Sequence, residues 1–235
     1  MTTINEQLEN LYTGKWNAIH EALQGVSEKE SVLYANPHVI YVDDEEAWTR
    51  ARLRVMFFGQ ETRGWEDEDG SDKTIAYLSD MYDRFFNKGE CIRYGGHFWN
   101  GIGRLRSAFA ERFPDVETQF VWSNIIKVGK KGKAGRPSEA MYSQVRQHFH
   151  VIPEEVRILQ PNVLLFLTGP RYDDAIRFNF GEVAFTPVSP FSGRELAKLS
   201  IPGTDFAFRT YHPNYLWRKG INSFFDAILQ SITIE

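Results

Sequence analysis

Apolar residues at Ile4, Leu8, Leu11, Ile19 and Leu23 recur at roughly helical spacing, which predicts one or two helices over residues 1–24. Val39 to Val42 is a short β-like run whose place the pattern leaves open. Leu53 to Phe58 reads as a strand ending at Gly59. Ile75, Leu78, Phe85 and Phe86 predict a helix, and Phe98, Ile102, Leu105 and Phe109 predict another. Gln119 to Asn124 is a second strand, followed by a polar, glycine-containing loop from Lys127 to Arg136. Ser138 to His148 is helical in pattern, and Pro153 with Glu154 and Glu155 opens a short helix, where proline and acids both suit the first turn. Asn162 to Leu167 is the clearest buried strand, ended by Thr168-Gly169-Pro170. A helix from Asp173 to Phe178, an irregular stretch, a strand from Phe206 to Tyr211 and a final helix marked by Ile221, Phe224, Phe225 and Ile228 complete the chain.

Four apolar strands, each followed by helical material, imply right-handed crossovers and a parallel sheet of an α/β protein. There is no internal repeat, low-complexity tract or linker. The expectation is a single domain over residues 1–235, with residues 1–50 as a mainly helical N-terminal extension packed on it. All carboxyl ends of a parallel sheet lie on one edge, where ligands bind. Gln60, Glu61, Asn124, Thr168 and His212 follow those ends and are candidates to converge.

Composition narrows the classes. Hydrophobic residues at 42% and charged residues at 25% are ordinary for a globular protein, while aromatics at 14% supply either core or flat stacking surfaces. The formal charge is −4, so any nucleic-acid contact has to come from a local patch. Cys91 is the only cysteine, which excludes an internal disulfide and a four-cysteine zinc or iron–sulfur site; no metal and no cofactor is expected. Residues 1–10 lack the basic start and apolar run of a signal peptide, and Val163 to Leu167 is too short to cross a bilayer. A soluble, cytoplasmic monomer without membrane contact is expected.

Taken singly, the candidates have plain structural readings: Glu61 as a solvated loop acid, Asn124 as a strand terminator, His212 before Pro213 as a turn histidine. Their order along the chain says more. Gly59-Gln60-Glu61-Thr62-Arg63 follows the first strong strand, Val121-Trp122-Ser123-Asn124 ends the next, and His212-Pro213-Asn214-Tyr215-Leu216 ends the last. In this order the chain resembles the uracil-DNA glycosylase superfamily over roughly residues 50–230, and His97-Phe98-Trp99 is similar to a segment of its mismatch-specific members. The resemblance implies a three-layer α/β/α sandwich with a central, mainly parallel four-stranded sheet. It also implies a monofunctional DNA glycosylase that hydrolyses the bond between a sugar and a flipped-out pyrimidine. Duplex DNA with the base extruded, or a single strand, is the expected partner.

The resemblance assigns Glu61 to activating water, and His212 is the choice for stabilising the leaving base. Asn124 would read the pyrimidine edge, with contacts from Gln60, and Phe98 would stack on the base or belong to the core. Leu216 falls at the family's wedge position, with Trp217 beside it and Arg218 and Lys219 suited to phosphates. Lys127, Lys130, Lys131, Lys133 and Arg136 form a cation run that is either solvated surface or a DNA-backbone contact. The family's aspartate, proline and tyrosine are replaced by Glu61, Thr62 and Arg63. Losing that tyrosine removes a steric gate at pyrimidine C5, and Arg63 offers donors to a bulky substituent. The expected substrate is therefore a modified or damaged pyrimidine, such as modified cytosine of phage DNA, which would make the enzyme antiviral. The alternatives are a uracil-excising repair enzyme, an inactive DNA-binding module on the same fold, and an enzyme of free nucleosides.

Overall fold

The computed structural model describes residues 2–63, 65 and 73–234. Thr3 starts the first helix: its hydroxyl accepts from the Glu6 amide while the Glu6 carboxylate accepts from the Thr3 amide. The Glu45 carboxylate takes the amides of Ile4 and Asn5. Together these bonds satisfy donors that a first helical turn leaves open. One continuous helix results, α1 (Ile4–Glu30), closed by Ser31 at φ 52°. The Val39 to Val42 run pairs in no strand; it is a buried extended segment held by the Tyr12 hydroxyl, which accepts from the Ile40 amide.

Then come α2 (Glu45–Arg50), β1 (Leu53–Glu61), α3 (Ile75–Tyr82) with a π-helical turn at Asp83–Asn87, α4 (Glu90–Tyr94) and α5 (Gly96–Arg112). The middle of the chain forms β2 (Thr118–Ile126), α6 (Glu139–His148), α7 (Ile152–Leu159) and β3 (Val163–Leu167). A 3-10 turn at Pro170–Tyr172 leads to α8 (Asp173–Phe180), β4 (Phe185–Pro187), β5 (Leu196–Leu199) and β6 (Phe206–Thr210). The chain closes with α9 (Pro213–Lys219) and α10 (Ile221–Gln230).

The sheet has six strands in the order β2-β1-β3-β6-β5-β4. The four strands expected from the apolar runs form its parallel part, whereas β5 and β4 join antiparallel. The four-stranded expectation is therefore corrected to a mixed six-stranded sheet. Both added strands lie in the stretch read as irregular. They are short, β4 ends in Pro187, and its residues are largely exposed at the sheet edge, so neither carries an apolar run.

Consecutive strand residues face opposite sides, and Phe57 and Phe58 show what covers each. Phe57 meets Phe86 of the π turn and Phe98 of α5, while Phe58 stacks on Phe166, which meets Phe180 of α8. Helical residues thus lie on both faces. Residues 1–50 contribute to the same core: the Tyr12 hydroxyl donates to Glu155 and the Trp48 indole N–H to the Leu159 carbonyl. Among the described residues no helix is long and apolar enough to cross a membrane.

Candidate functional site

Gly59 stands opposite Asn124 in the β1–β2 pair, and Leu167 opposite Thr210 in the β3–β6 pair. The carboxyl ends of the four parallel strands therefore share one edge. One side-chain and one backbone bond stitch it together: Gln60 Nε2 donates to the Thr168 carbonyl at 2.8 Å, and the Gly169 amide donates to the Thr210 carbonyl at 2.9 Å.

At this edge Gly59 makes room for two side chains. A Cβ there would lie 2.4 Å from Asn124 Oδ1 and 3.2 Å from Phe98 Cζ. Asn124 is 4% exposed, and its Nδ2 makes a long bond, 3.5 Å, to Thr62 Oγ1. The Phe98 ring in turn stacks on His212, with centroids 5.3 Å apart and 27° between planes. An amide and a flat ring meet at Gly59, and the imidazole stacks on that ring.

His212 is the N-cap of α9, and its Nδ1 accepts from the Asn214 amide at 3.2 Å. An accepting Nδ1 leaves the ring proton on Nε2. Burial, reinforced by the positive field of His97, pushes its pKa down to about 4. At neutral pH His212 is thus an uncharged N–H donor.

Glu61, the last residue of β1, is committed elsewhere through both carboxylate oxygens. Oε1 accepts from the Gly135 amide at 2.8 Å, and Oε2 accepts from the Tyr172 hydroxyl. Burial and then the Glu61 charge hold the Tyr172 hydroxyl far above the ordinary phenol range, so it stays a donor. Glu61 anchors the Lys127–Arg136 loop to the strand end, and each oxygen keeps a second lone pair for water.

Several expected contacts fall elsewhere. Leu216 is fully buried on the inner side of α9, so it is no wedge; α9 turns its apolar side inward and leaves Trp217, 40% exposed, on the surface. Lys127 is corrected from the cation run to the core: it is 1% exposed, paired with Glu155 at 2.7 Å and bonded to Ser123 Oγ at 2.8 Å. Arg136 is only half-exposed, ion-paired with Asp174 at 2.7 Å and laid over Tyr142 and Tyr172, so it braces the loop before it meets any phosphate. Lys130 and Lys131 are half-buried, Lys133 is exposed, and the loop is pinned by backbone bonds to Leu33 and Ala35. Arg63, Arg218 and Lys219 are exposed, with Arg218 Nε donating to the Asn214 carbonyl.

Beneath Asn124 lies an aromatic group that the apolar pattern did not single out as functional. Trp122 faces the same side two residues earlier; His38, Trp65 and Trp99 surround it with centroids 4.4, 5.4 and 4.8 Å away. Both His38 ring nitrogens and the Trp65 and Trp122 indole nitrogens lack hydrogen-bond partners among the described residues, and burial, then the Lys127 charge, hold His38 neutral. Only the tryptophan-rich composition hinted at such a wall. Among the described residues no group of His, Cys, Asp and Glu is arranged to hold a metal ion.

No known protein family and no curated protein matches this chain.

Proposed function

We propose that the protein is a DNA glycosylase of the uracil-DNA glycosylase type, hydrolysing the N-glycosidic bond of a flipped-out pyrimidine and leaving an abasic site. The observation that carries the reading is the corner at Gly59, where the Asn124 amide and the Phe98 ring meet and His212 stacks on that ring, at the carboxyl edge of four parallel strands. The three-layer arrangement belongs to the same reading and is supported by helical residues on both faces of the sheet.

Breaking the bond sends its electron pair to the base and leaves positive charge on the sugar, as in glycoside hydrolysis. His212 Nε2–H donates to the pyrimidine O2 as negative charge grows there, which is worth about 10²–10³ in rate. A neutral donor suits this role, because it need not lose a proton before the base departs. Asn124 offers one acceptor and two donor hydrogens to the pyrimidine edge. Glu61 holds water for the sugar carbon through its free lone pairs; the water's oxygen ends on the sugar as a hydroxyl, and the proton it loses passes by way of the Glu61 carboxylate to neutralise the released base anion. Lys131, Lys133, Arg218 and Lys219 meet phosphates in the cytoplasm, where DNA is the partner. Lys127 lies in the core, and this reading assigns no other lysine as a nucleophile, which makes the enzyme monofunctional. Arg63 at the strand end favours a pyrimidine with a bulky polar substituent, consistent with an antiviral role against modified cytosine.

Mass spectrometry of bases released from DNAs containing uracil, mispaired thymine or modified cytosine tests this reading. A released pyrimidine with an alkali-labile site left behind supports it. A borohydride-trapped covalent adduct would contradict the monofunctional route. One observation favours a second reading, a binding module without chemistry: both Glu61 oxygens already have partners. Release by wild type but not by Glu61→Gln argues for catalysis, and release by neither argues for the module.

A further inference from the structure

Six large apolar side chains are exposed among the described residues, and three of them sit on elements that flank Phe98 and His212. Ile92, 46% exposed, and Tyr94, 78% exposed, belong to α4, which runs into α5 just before Phe98. Trp217, 40% exposed, belongs to α9, which His212 caps. The Trp217 indole N–H donates to the His97 carbonyl at 3.0 Å. Tyr94 precedes His97 by three residues, so the chain allows at most roughly 10 Å between their Cα atoms. The two exposed aromatics therefore share one corner of the candidate site.

Backbone geometry keeps Tyr94 outward. Gly95 and Gly96 have φ of 71° and 82°, a region that other residues rarely adopt, and a Cβ on Gly96 would meet nothing within 4 Å. These glycines serve the direction of the turn rather than close packing. The Tyr94 ring keeps an edge contact with Phe85, 5.9 Å between centroids, which steadies it without covering it. Arg218 and Lys219 on α9 are exposed beside the aromatics, and so is Arg93 on α4, which pairs at 3.9 Å with exposed Glu90 and would exchange that partner for a phosphate. Clustered exposed apolar groups mark binding surfaces, and aromatics among cations are what a nucleic-acid strand recognises.

We propose that Tyr94 and Trp217 form a platform on which unpaired nucleobases of a single-stranded or locally opened DNA segment stack, with Arg93, Arg218 and Lys219 on its phosphates. The platform rests on the glycosylase reading and fills the place that buried Leu216 leaves. It makes a DNA with unpaired bases the preferred partner.

Fluorescence anisotropy at fixed salt with a labelled oligothymidylate, and with the same sugar–phosphate chain lacking bases, tests it. Tyr94→Ala is expected to weaken oligothymidylate binding roughly tenfold, to leave the base-free chain unaffected, and to recover in Tyr94→Phe. Because Tyr94 is exposed, thermal melting of the variant should match wild type, which separates lost stacking from lost folding. Equal affinity of Tyr94→Ala and wild type, or an equal loss on the base-free chain, overturns the platform. Failure of wild type to bind either chain overturns it too and points to a protein partner for this corner. Base release is scored separately: release with Tyr94-independent binding sinks only the platform, and Tyr94-dependent binding without release sinks only the glycosylase reading.

Discussion

Replacing Lys127 by methionine tests the buried ion pair and, with it, the removal of this lysine from the DNA-facing set. Lys127 and Glu155 are 1% and 0% exposed and 2.7 Å apart; Ser123 takes a second ammonium hydrogen, Tyr12 donates to the same Glu155 oxygen, and Glu155 Oε2 has no partner among the described residues. Lys127→Met nearly conserves volume, so no large cavity opens, but it strands a carboxylate whose only remaining donor is Tyr12. Breaking a buried pair from one side costs about 3–5 kcal/mol, and the lost bond to Ser123 adds roughly 1 kcal/mol. Against a total stability of about 5–15 kcal/mol, the single variant is expected to be close to unfolding at room temperature. The double variant Lys127→Met with Glu155→Leu removes both charges and is expected to recover most of that loss, a coupling of at least about 2 kcal/mol. Urea unfolding of the wild type, both single variants and the double variant measures the cycle. The salt dependence of DNA binding by any folded single variant should match wild type, because a core lysine releases no counterion. A Lys127→Met protein within about 1 kcal/mol of wild type, or one with a shallower salt slope, refutes the reasoning.

Other outcomes follow from the site. Proton NMR should show the His212 imidazole neutral at pH 6 and titrating near pH 4, and base release should stay flat down to about pH 5. Since the folded-state pKa lies below the unfolded value of about 6.5, the unfolded chain takes the proton more readily. Its contribution to stability is present above that pH and lost as pH falls towards 4, by at most about 3 kcal/mol; a His212→Phe variant should lose that slope. Two glycines should separate function from folding. Gly59→Ala meets the movable end of Asn124 and should abolish base release while costing about 1 kcal/mol. Gly129→Ala puts a Cβ 1.6 Å from the Thr62 carbonyl oxygen, a backbone atom, and should cost 3 kcal/mol or more by urea unfolding, roughly the large end of single-site effects. Equal stability of these two variants would contradict the packing described.

The parallel strands were legible because each is a run of apolar residues long enough to be buried on both faces, as Val163 to Leu167 shows. β4 and β5 were not: β4 is three largely exposed residues at the sheet edge, and β5, though mostly buried beside β6, is only four residues interrupted by exposed Lys198. The candidate corner was visible in part: Asn124 lies two residues before the end of β2 and His212 two after the end of β6, and strand order alone carries them to one edge. What Glu61 touches was not visible, because Gly135 and Tyr172 come from distant loops. Leu216 was readable in principle: Pro213 and Leu216 lie three apart on the inner side of a helix whose next residue, Trp217, faces out. Lys127 sits between Ile126 and Val128, an apolar setting that marks it off from Lys130 to Lys133. Its partner Glu155 had no such mark, since Glu154 beside it is exposed.

The most direct measurement is the single-turnover rate of base release by wild type and by His212→Ala and Asn124→Ala, on the DNA substrate that wild type cleaves fastest. If the Gly59 corner grips the departing base, each variant should slow release by about 10²–10³ while still melting as a folded protein. Release by both variants at the wild-type rate, or no release by wild type from any pyrimidine-containing DNA, would contradict the central claim.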